Sequence, residues 1–190
     1  MIKKSSLKVA IIGMGSIGRE IAKDISKLSE VQKIYIVSRD LEKAKESINE
    51  IGLKESKFEA EDSNSLGDIL KETDISIISA GVHNPSRYDK NTIAKNKELI
   101  SGYAENHTGF NGTVIVVTNP TDLLAYHFAA ASHMNPLNVL GMNLLDARRF
   151  RKIIYDTFIR VYSQTPEALD INEIDAMVIG PHDEKYFVPL

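Results

Sequence analysis

Near the start of the chain, three glycines stand in an order that can seat a phosphate. The apolar run Val9–Ile12 stops at Gly13, and Gly13, Gly15 and Gly18 follow as G-x-G-x-x-G. A helical pattern begins at once, with Ile17, Ile21, Ile25 and Leu28 on one face. In a strand–turn–helix context each glycine has a task. Gly13 makes the tight turn, Gly15 lets the backbone approach a pyrophosphate, and Gly18 lets the helix lie close to the strand. Free N–H groups and the positive dipole end at the helix start favour the phosphate charge. The stretch predicts a dinucleotide site along the backbone of Gly13, Gly15, Ser16, Ile17 and Gly18. The plain alternative is a glycine turn in some other strand–helix unit.

A second group of residues bears on which dinucleotide is held. Units that bind NAD usually end the second strand in a carboxylate for the ribose hydroxyls. Here that place reads Val37-Ser38-Arg39-Asp40. A hydroxyl and a guanidinium suit a 2′-phosphate, which a carboxylate at this point would repel. The expected cofactor is therefore NADP, with NAD as the alternative. On the plain reading Ser38-Arg39 is a solvated turn and Asp40 caps the next helix.

Further along, Asn119-Pro120-Thr121-Asp122 follows an apolar strand. Asp146 and Arg149, three apart near a helix start, share one face. His182 follows Gly180-Pro181. Each has a bland reading: Asn119-Pro120 a turn, Asp146 a helix-start charge, Arg149 a solvated face, His182 a surface residue. His127 and His133 match no metal-ligand spacing, so no metal is expected.

These residues need a scaffold. The chain has 190 residues, 43% hydrophobic and 26% charged, with net charge −3 and no cysteine. That is enough for a sizeable core and offers no basic surface for nucleic acid. Disulfides and thiolate catalysis are excluded, and the default compartment is the cytoplasm. The apolar run after MIKKSS is too short for a signal core or a membrane span. Strands are expected at Val9–Ile12, Lys33–Val37, Phe58–Ala60, Ile75–Ile78, Thr113–Val117, Val139–Gly141 and Ala176–Ile179. Helical patterns alternate with them at Leu41–Ile51, Ser65–Lys71, Asn91–Asn106, Asp122–Ala131 and Leu145–Val161. The alternation predicts an α/β fold with a doubly wound parallel sheet. Gly13, Ser38, Gly81, Asn119 and His182 all follow strand ends, so they are expected to face one crevice.

In combination, the glycine turn, N-P-x-D at Asn119–Asp122, L-D-x-x-R-F at Leu145–Phe150 and the late His182 resemble the lactate and malate dehydrogenase family. These are NAD(P)-dependent oxidoreductases of 2-hydroxy acids, and the resemblance runs from about Lys8 to the last residue. It implies a Rossmann dinucleotide-binding domain over residues 1–135 and the beginning of a substrate and catalytic domain over 136–190. It also implies roles. His182 would be the acid–base group, Asp146 its carboxylate partner, and Arg149 the clamp on the substrate carboxylate. Arg87 would polarise the carbonyl from a mobile loop. Asn119 would lie beside the nicotinamide and the reacting oxygen, and Gly81 beside the cofactor. The implied partners are a small 2-keto or 2-hydroxy acid and further copies of the chain, with no nucleic acid and no membrane.

Three features depart from the family pattern. The loop between Gly81 and Arg87 is short, so substrate identity is unreadable. His182 is followed by Asp183-Glu184-Lys185, where a glycine is usual. The chain ends at Leu190, whereas family members run on for roughly another half domain. The alternative function is accordingly a non-catalytic NADP-binding module, or a fragment of such an enzyme. Other enzyme classes fail on motifs, since no tyrosine has lysine four residues on and G-x-x-x-x-G-K-[ST] is absent.

Overall fold

In the computed structural model, which describes residues 6–51, 57–82, 89–142, 144–162, 170–179 and 188–189, the chain divides into two compact units, Met1–Gly141 and Met142–Leu190. In chain order the first unit contains β1 (Leu7–Ile12), α1 (Ser16–Ile25), β2 (Val31–Ser38), α2 (Leu41–Ile51), β3 (Phe58–Asp62) and α3 (Leu66–Leu70). It continues with β4 (Ile75–Ile78), α4 (Lys90–Asn106), β5 (Thr113–Val116), α5 (Thr121–Ser132) and β6 (Val139–Gly141). The six strands form one sheet in the order β3-β2-β1-β4-β5-β6, and every pair is parallel. The chain thus winds outward from β1 to β3, then returns to start again at β4. That reversal between β1 and β4 is the point at which sheets of this kind bind ligands.

Two cores explain why the strands read as continuous apolar runs. Side chains alternate across a strand, so Ala10 and Ile12 enter one core while Val9 and Ile11 enter the other. The first core adds Val37, Ile78, Val114 and Val116 from the sheet, with Leu66, Ile100, Leu124 and Phe128 from α3, α4 and α5. The second adds Ile34, Ile36 and Ile77, with Ala22 from α1 and Ala44 and Ile48 from α2. Both faces of the central strands are covered, as a doubly wound sheet requires.

The expected alternation is borne out, with two local differences. Val139–Gly141, placed by the sequence reading in a second domain, is the sixth strand of the first sheet. Ala176–Ile179 narrows to β7 (Val178–Ile179). It pairs antiparallel with β8 (Val188–Pro189) in a separate two-stranded sheet. An apolar run of that length fits either pairing, so periodicity alone does not choose between them. The described residues of the second unit also include α6 (Leu144–Tyr162) and a 3-10 turn at Ile171–Glu173; Arg151 ties α6 to the stretch before β7, its Nε donating to the Ala176 carbonyl at 3.0 Å. Among the described residues no helix is long and apolar enough to cross a membrane.

One buried ionisable group couples the fold to pH. His107, at the end of α4, is fully buried. Its Nδ1–H donates to the Tyr103 carbonyl at 2.8 Å, which leaves Nε2 to accept from the Ser76 hydroxyl at 2.9 Å. Phe110 and Phe128 stand edge-on to the ring. Burial lowers its pKa to about 4. The neutral ring is the folded form, so its stability contribution is complete above the unfolded pKa of about 6.5 and is lost as pH falls towards 4. We expect unfolding in urea to show a loss of about 2 kcal/mol between pH 7 and pH 5. His127, shifted down by burial and by Lys97, acts in the same direction. In His107→Gln the loss should shrink markedly; an unchanged pH slope in that variant would exclude His107 as its source.

Candidate functional site: a glycine-lined cleft at the sheet reversal

The glycine turn is shaped by close approach. Gly13 ends β1 with φ +99°, and its N–H donates to the Val37 carbonyl at 3.1 Å. A Cβ on Gly13 would stand 2.6 Å from the backbone of Ala80, beyond β4. A Cβ on Gly18, in the first turn of α1, would overlap the Gly13 carbonyl oxygen. That oxygen also accepts from the Ser79 hydroxyl at 2.8 Å. Two of the glycines are therefore required by packing.

Gly15 is different. Its φ of −71° and ψ of −172° are open to any residue, and a Cβ there would meet nothing within 4 Å. What the missing side chain leaves is open space beside the start of α1. No side chain caps that helix. An anion beside Gly15, which lines the cleft, would satisfy the first N–H groups of the helix. This cradle fits a dinucleotide pyrophosphate. Ser16 and Ile17 form the first helical turn beside it, both exposed.

The cleft has a volume of about 950 Å³, within the range of small-molecule sites. Gly13–Gly15 form its floor, Ser38–Asp40 one side, Ala80–Val82 another, and α4 closes it with Leu99 and Tyr103 among others. The structure thus brings Gly13, Gly15, Ser38, Arg39 and Gly81 to one place. Gly18 supports the turn from behind.

At the end of β2 the Ser38 hydroxyl accepts from Asp40 N at 3.2 Å. Asp40 accepts from Lys43 N at 3.0 Å and so caps α2. Capping engages Asp40 and leaves Ser38 and Arg39 on the cleft. Lys43, in the first turn of α2, joins them there. Sequence reasoning missed it; the usable signal was its spacing of four from Arg39, which places both on one side of a helix start. Ion pairs such as Lys8–Glu72, Arg19–Glu50 and Lys33–Glu59 lie elsewhere. Among the described residues no carboxylate pairs with Arg39 or Lys43. Tyr103 faces the same end, its phenol pushed up by burial and pulled back by Arg39.

Asn119 follows β5. Its Oδ1 accepts from the Thr121 hydroxyl at 3.1 Å. Arg149 lies on α6, in the second unit. Asp146 is also on that helix, but its side chain, with Arg87 and His182, lies outside the described residues. His127 is occupied in another way. The Ser101 hydroxyl donates to the Lys97 carbonyl at 3.0 Å, so its oxygen accepts the His127 Nε2–H at 2.7 Å. Among the described residues no three metal-ligating side chains converge.

The two kinds of glycine should separate by mutation. Gly15→Val is expected to shift the unfolding midpoint by only a few degrees, corresponding to at most about 1 kcal/mol, while NADH and NADPH binding falls at least about tenfold. Gly18→Val should instead unfold the protein or lower its midpoint sharply. Calorimetric titration beside a thermal scan checks both; tight binding by Gly15→Val would remove the cradle.

Comparison with known proteins agrees with this geometry. Residues 7–141 match the family model described as lactate/malate dehydrogenase, NAD binding domain. A malate dehydrogenase of Salinibacter ruber is 28% identical over 97% of this chain and 58% of its own length. L-lactate dehydrogenase 2 of Enterococcus faecalis is 27% identical over 96% and 57%. Among solved structures, a lactate dehydrogenase from a Medee basin deep-sea metagenome superposes with TM-score 0.77 at 24% identity, covering 96% of this chain and 57% of that one. The lactate dehydrogenase of Eimeria maxima, solved with NADH and oxamate, superposes with TM-score 0.75 at 23% identity. Those two likenesses bear on the fold alone. The chain spans a little over half the length of the curated relatives it matches. With its glycine-cradled cleft at the reversal of a six-stranded parallel sheet, the chain belongs to the lactate/malate dehydrogenase family, whose nicotinamide-cofactor domain occupies residues 7–141.

Proposed function

We propose that this protein serves hydride transfer between a nicotinamide dinucleotide and a small 2-hydroxy or 2-keto acid. The observation that carries the proposal is the open cradle at Gly15, set in a domain of this family. The bound nicotinamide supplies or accepts the hydride. The chain's own residues handle the proton and the substrate. His182 donates a proton to the 2-keto oxygen as the hydride reaches the carbon, and takes it back in the reverse direction. Asp146 orients the imidazole and stabilises its protonated form. Arg149 holds the substrate carboxylate with two parallel donors. Arg87 polarises the carbonyl, and the side-chain amide of Asn119 donates at the nicotinamide end. In this reading residues after Gly141 begin the substrate domain. The protein works in the cytoplasm and associates with copies of itself.

Our reading of the cofactor is NADP. The relatives' domain is described by NAD, so the preference rests on this chain's own Ser38, Arg39 and Lys43 beside the cleft. A hydroxyl and two cations, with no carboxylate paired to either among the described residues, suit a 2′-phosphate. The Ser38→Asp, Arg39→Ile double variant should reverse the ratio of NADPH to NADH affinity. Retained NADPH preference in that variant would refute the assignment.

A second reading is a module that binds the dinucleotide without turnover. It is favoured by the location of the cradle and cleft, both within the first unit. One assay separates the two: NADPH or NADH is mixed with pyruvate, oxaloacetate and branched 2-keto acids, and the reduced-cofactor absorbance is followed. Under the enzyme reading one acid is reduced, and His182→Asn lowers the rate by about 10²–10⁴ while cofactor binding persists. Undiminished reduction by His182→Asn would end the acid–base role.

A further inference from the structure

A buried amide joins two loops that the family resemblance did not connect. Asn96, in the middle of α4, is 2% exposed. Its Oδ1 accepts from Val82 N at 2.6 Å. Its Nδ2 donates to the Val82 carbonyl at 3.3 Å and to the Asn119 carbonyl at 3.0 Å. Both amide protons and the amide oxygen are thus engaged, which is how a buried polar group avoids a desolvation penalty. All three bonds go to backbone. One partner follows β4 and the other follows β5.

These loops are held from other sides as well. The Thr118 hydroxyl donates to the Ala80 carbonyl at 2.7 Å. A Cβ on Gly81 would run into the Thr118 methyl and stand 3.4 Å from Asn96 Oδ1. The Asn119 side chain is turned by Thr121. The result is a cross-braced corner at the C-terminal ends of β4 and β5, with Asn96 as its centre. In a sheet built from two mononucleotide-binding halves, β1–β3 carry the adenosine half and β4–β6 the other. The corner therefore lies at the nicotinamide half, on the β4 and β5 side of the cleft that the Gly15 cradle and Ser38 also line.

We propose that Asn96 is a positioning residue for the nicotinamide end of the cleft. It acts through Val82 and Asn119, whose backbones it holds at a set separation. The proposal rests on the cofactor reading above and adds a division of labour within it. The glycine turn holds the phosphates, and Asn96 sets the pocket that receives the ring. A side chain that only stabilised the fold would affect all ligands of the cleft alike. A side chain that positions this corner affects only ligands carrying the nicotinamide.

The test uses each reduced cofactor and its own nicotinamide-free fragment: NADH with ADP-ribose, and NADPH with 2′-phospho-ADP-ribose. In Asn96→Ala we expect the reduced cofactor to bind about tenfold more weakly, and the fragment to stay within about twofold of wild type. Equal weakening of both overturns the proposal and leaves the cofactor reading intact. Failure of every one of these ligands to bind the wild-type protein removes both. If Asn96→Ala does not fold, hydrogen exchange at the Val82 amide of the wild-type protein decides. Its protection should rise with NADH or NADPH and stay unchanged with the matching fragment; an equal rise with both overturns the proposal.

Discussion

The first unit depends on how closely β1, the turn after it and β4 approach one another. Gly13 occupies a left-handed conformation with the Ala80 backbone against its Cα and Gly18 against its carbonyl. No side chain fits at either position. The carbonyl squeezed between them is satisfied by Ser79. This contact sets the start of α1 directly over the reversal between β1 and β4. It therefore brings the helix start next to the cleft that Gly13 and Gly15 line. A sheet with the same order but a wider turn would carry the same two cores and have no anion cradle.

Charge is distributed in keeping with that cradle. Lys8, Arg19 and Lys33 pair with carboxylates on the surface of the first unit. Such exposed pairs contribute little to stability. Arg39 and Lys43 instead border the cleft, where Asp40 is engaged in capping α2. Capping and cofactor recognition had looked like competing explanations of Val37–Asp40. In the structure Asp40 caps α2 while Ser38 and Arg39 stay on the cleft, so the two readings are compatible.

Much of the fold was legible because its signals are local. β1 is apolar from Val9 to Ile12 and β5 from Val114 to Val116, α2 spans the residues its pattern predicts, and the glycine spacing has few structural meanings outside a strand–turn–helix unit. The misreadings fall where local pattern is silent. Two apolar residues at Val178–Ile179 carry no information about their partner, and they pair antiparallel with Val188–Pro189. Val139–Gly141 is too short to announce which domain claims it. The family motifs named Asn119 as a site residue but gave no reason to notice Asn96, since an asparagine inside a helix reads as a surface residue until its burial is seen.

By itself the amino-acid order determined the alternation of strands and helices and the types of group available for phosphate, carboxylate and proton. These follow from steric limits and periodicities that operate within a few residues. Only the tertiary structure decided that Gly15 opens onto empty space while Gly13 and Gly18 do not. The same holds for Lys43 reaching the cleft and for Asn96 tying the loops after β4 and β5 together. Those facts depend on which segments, distant along the chain, come within a few ångströms of one another. That distance is set by the packing of both cores at once.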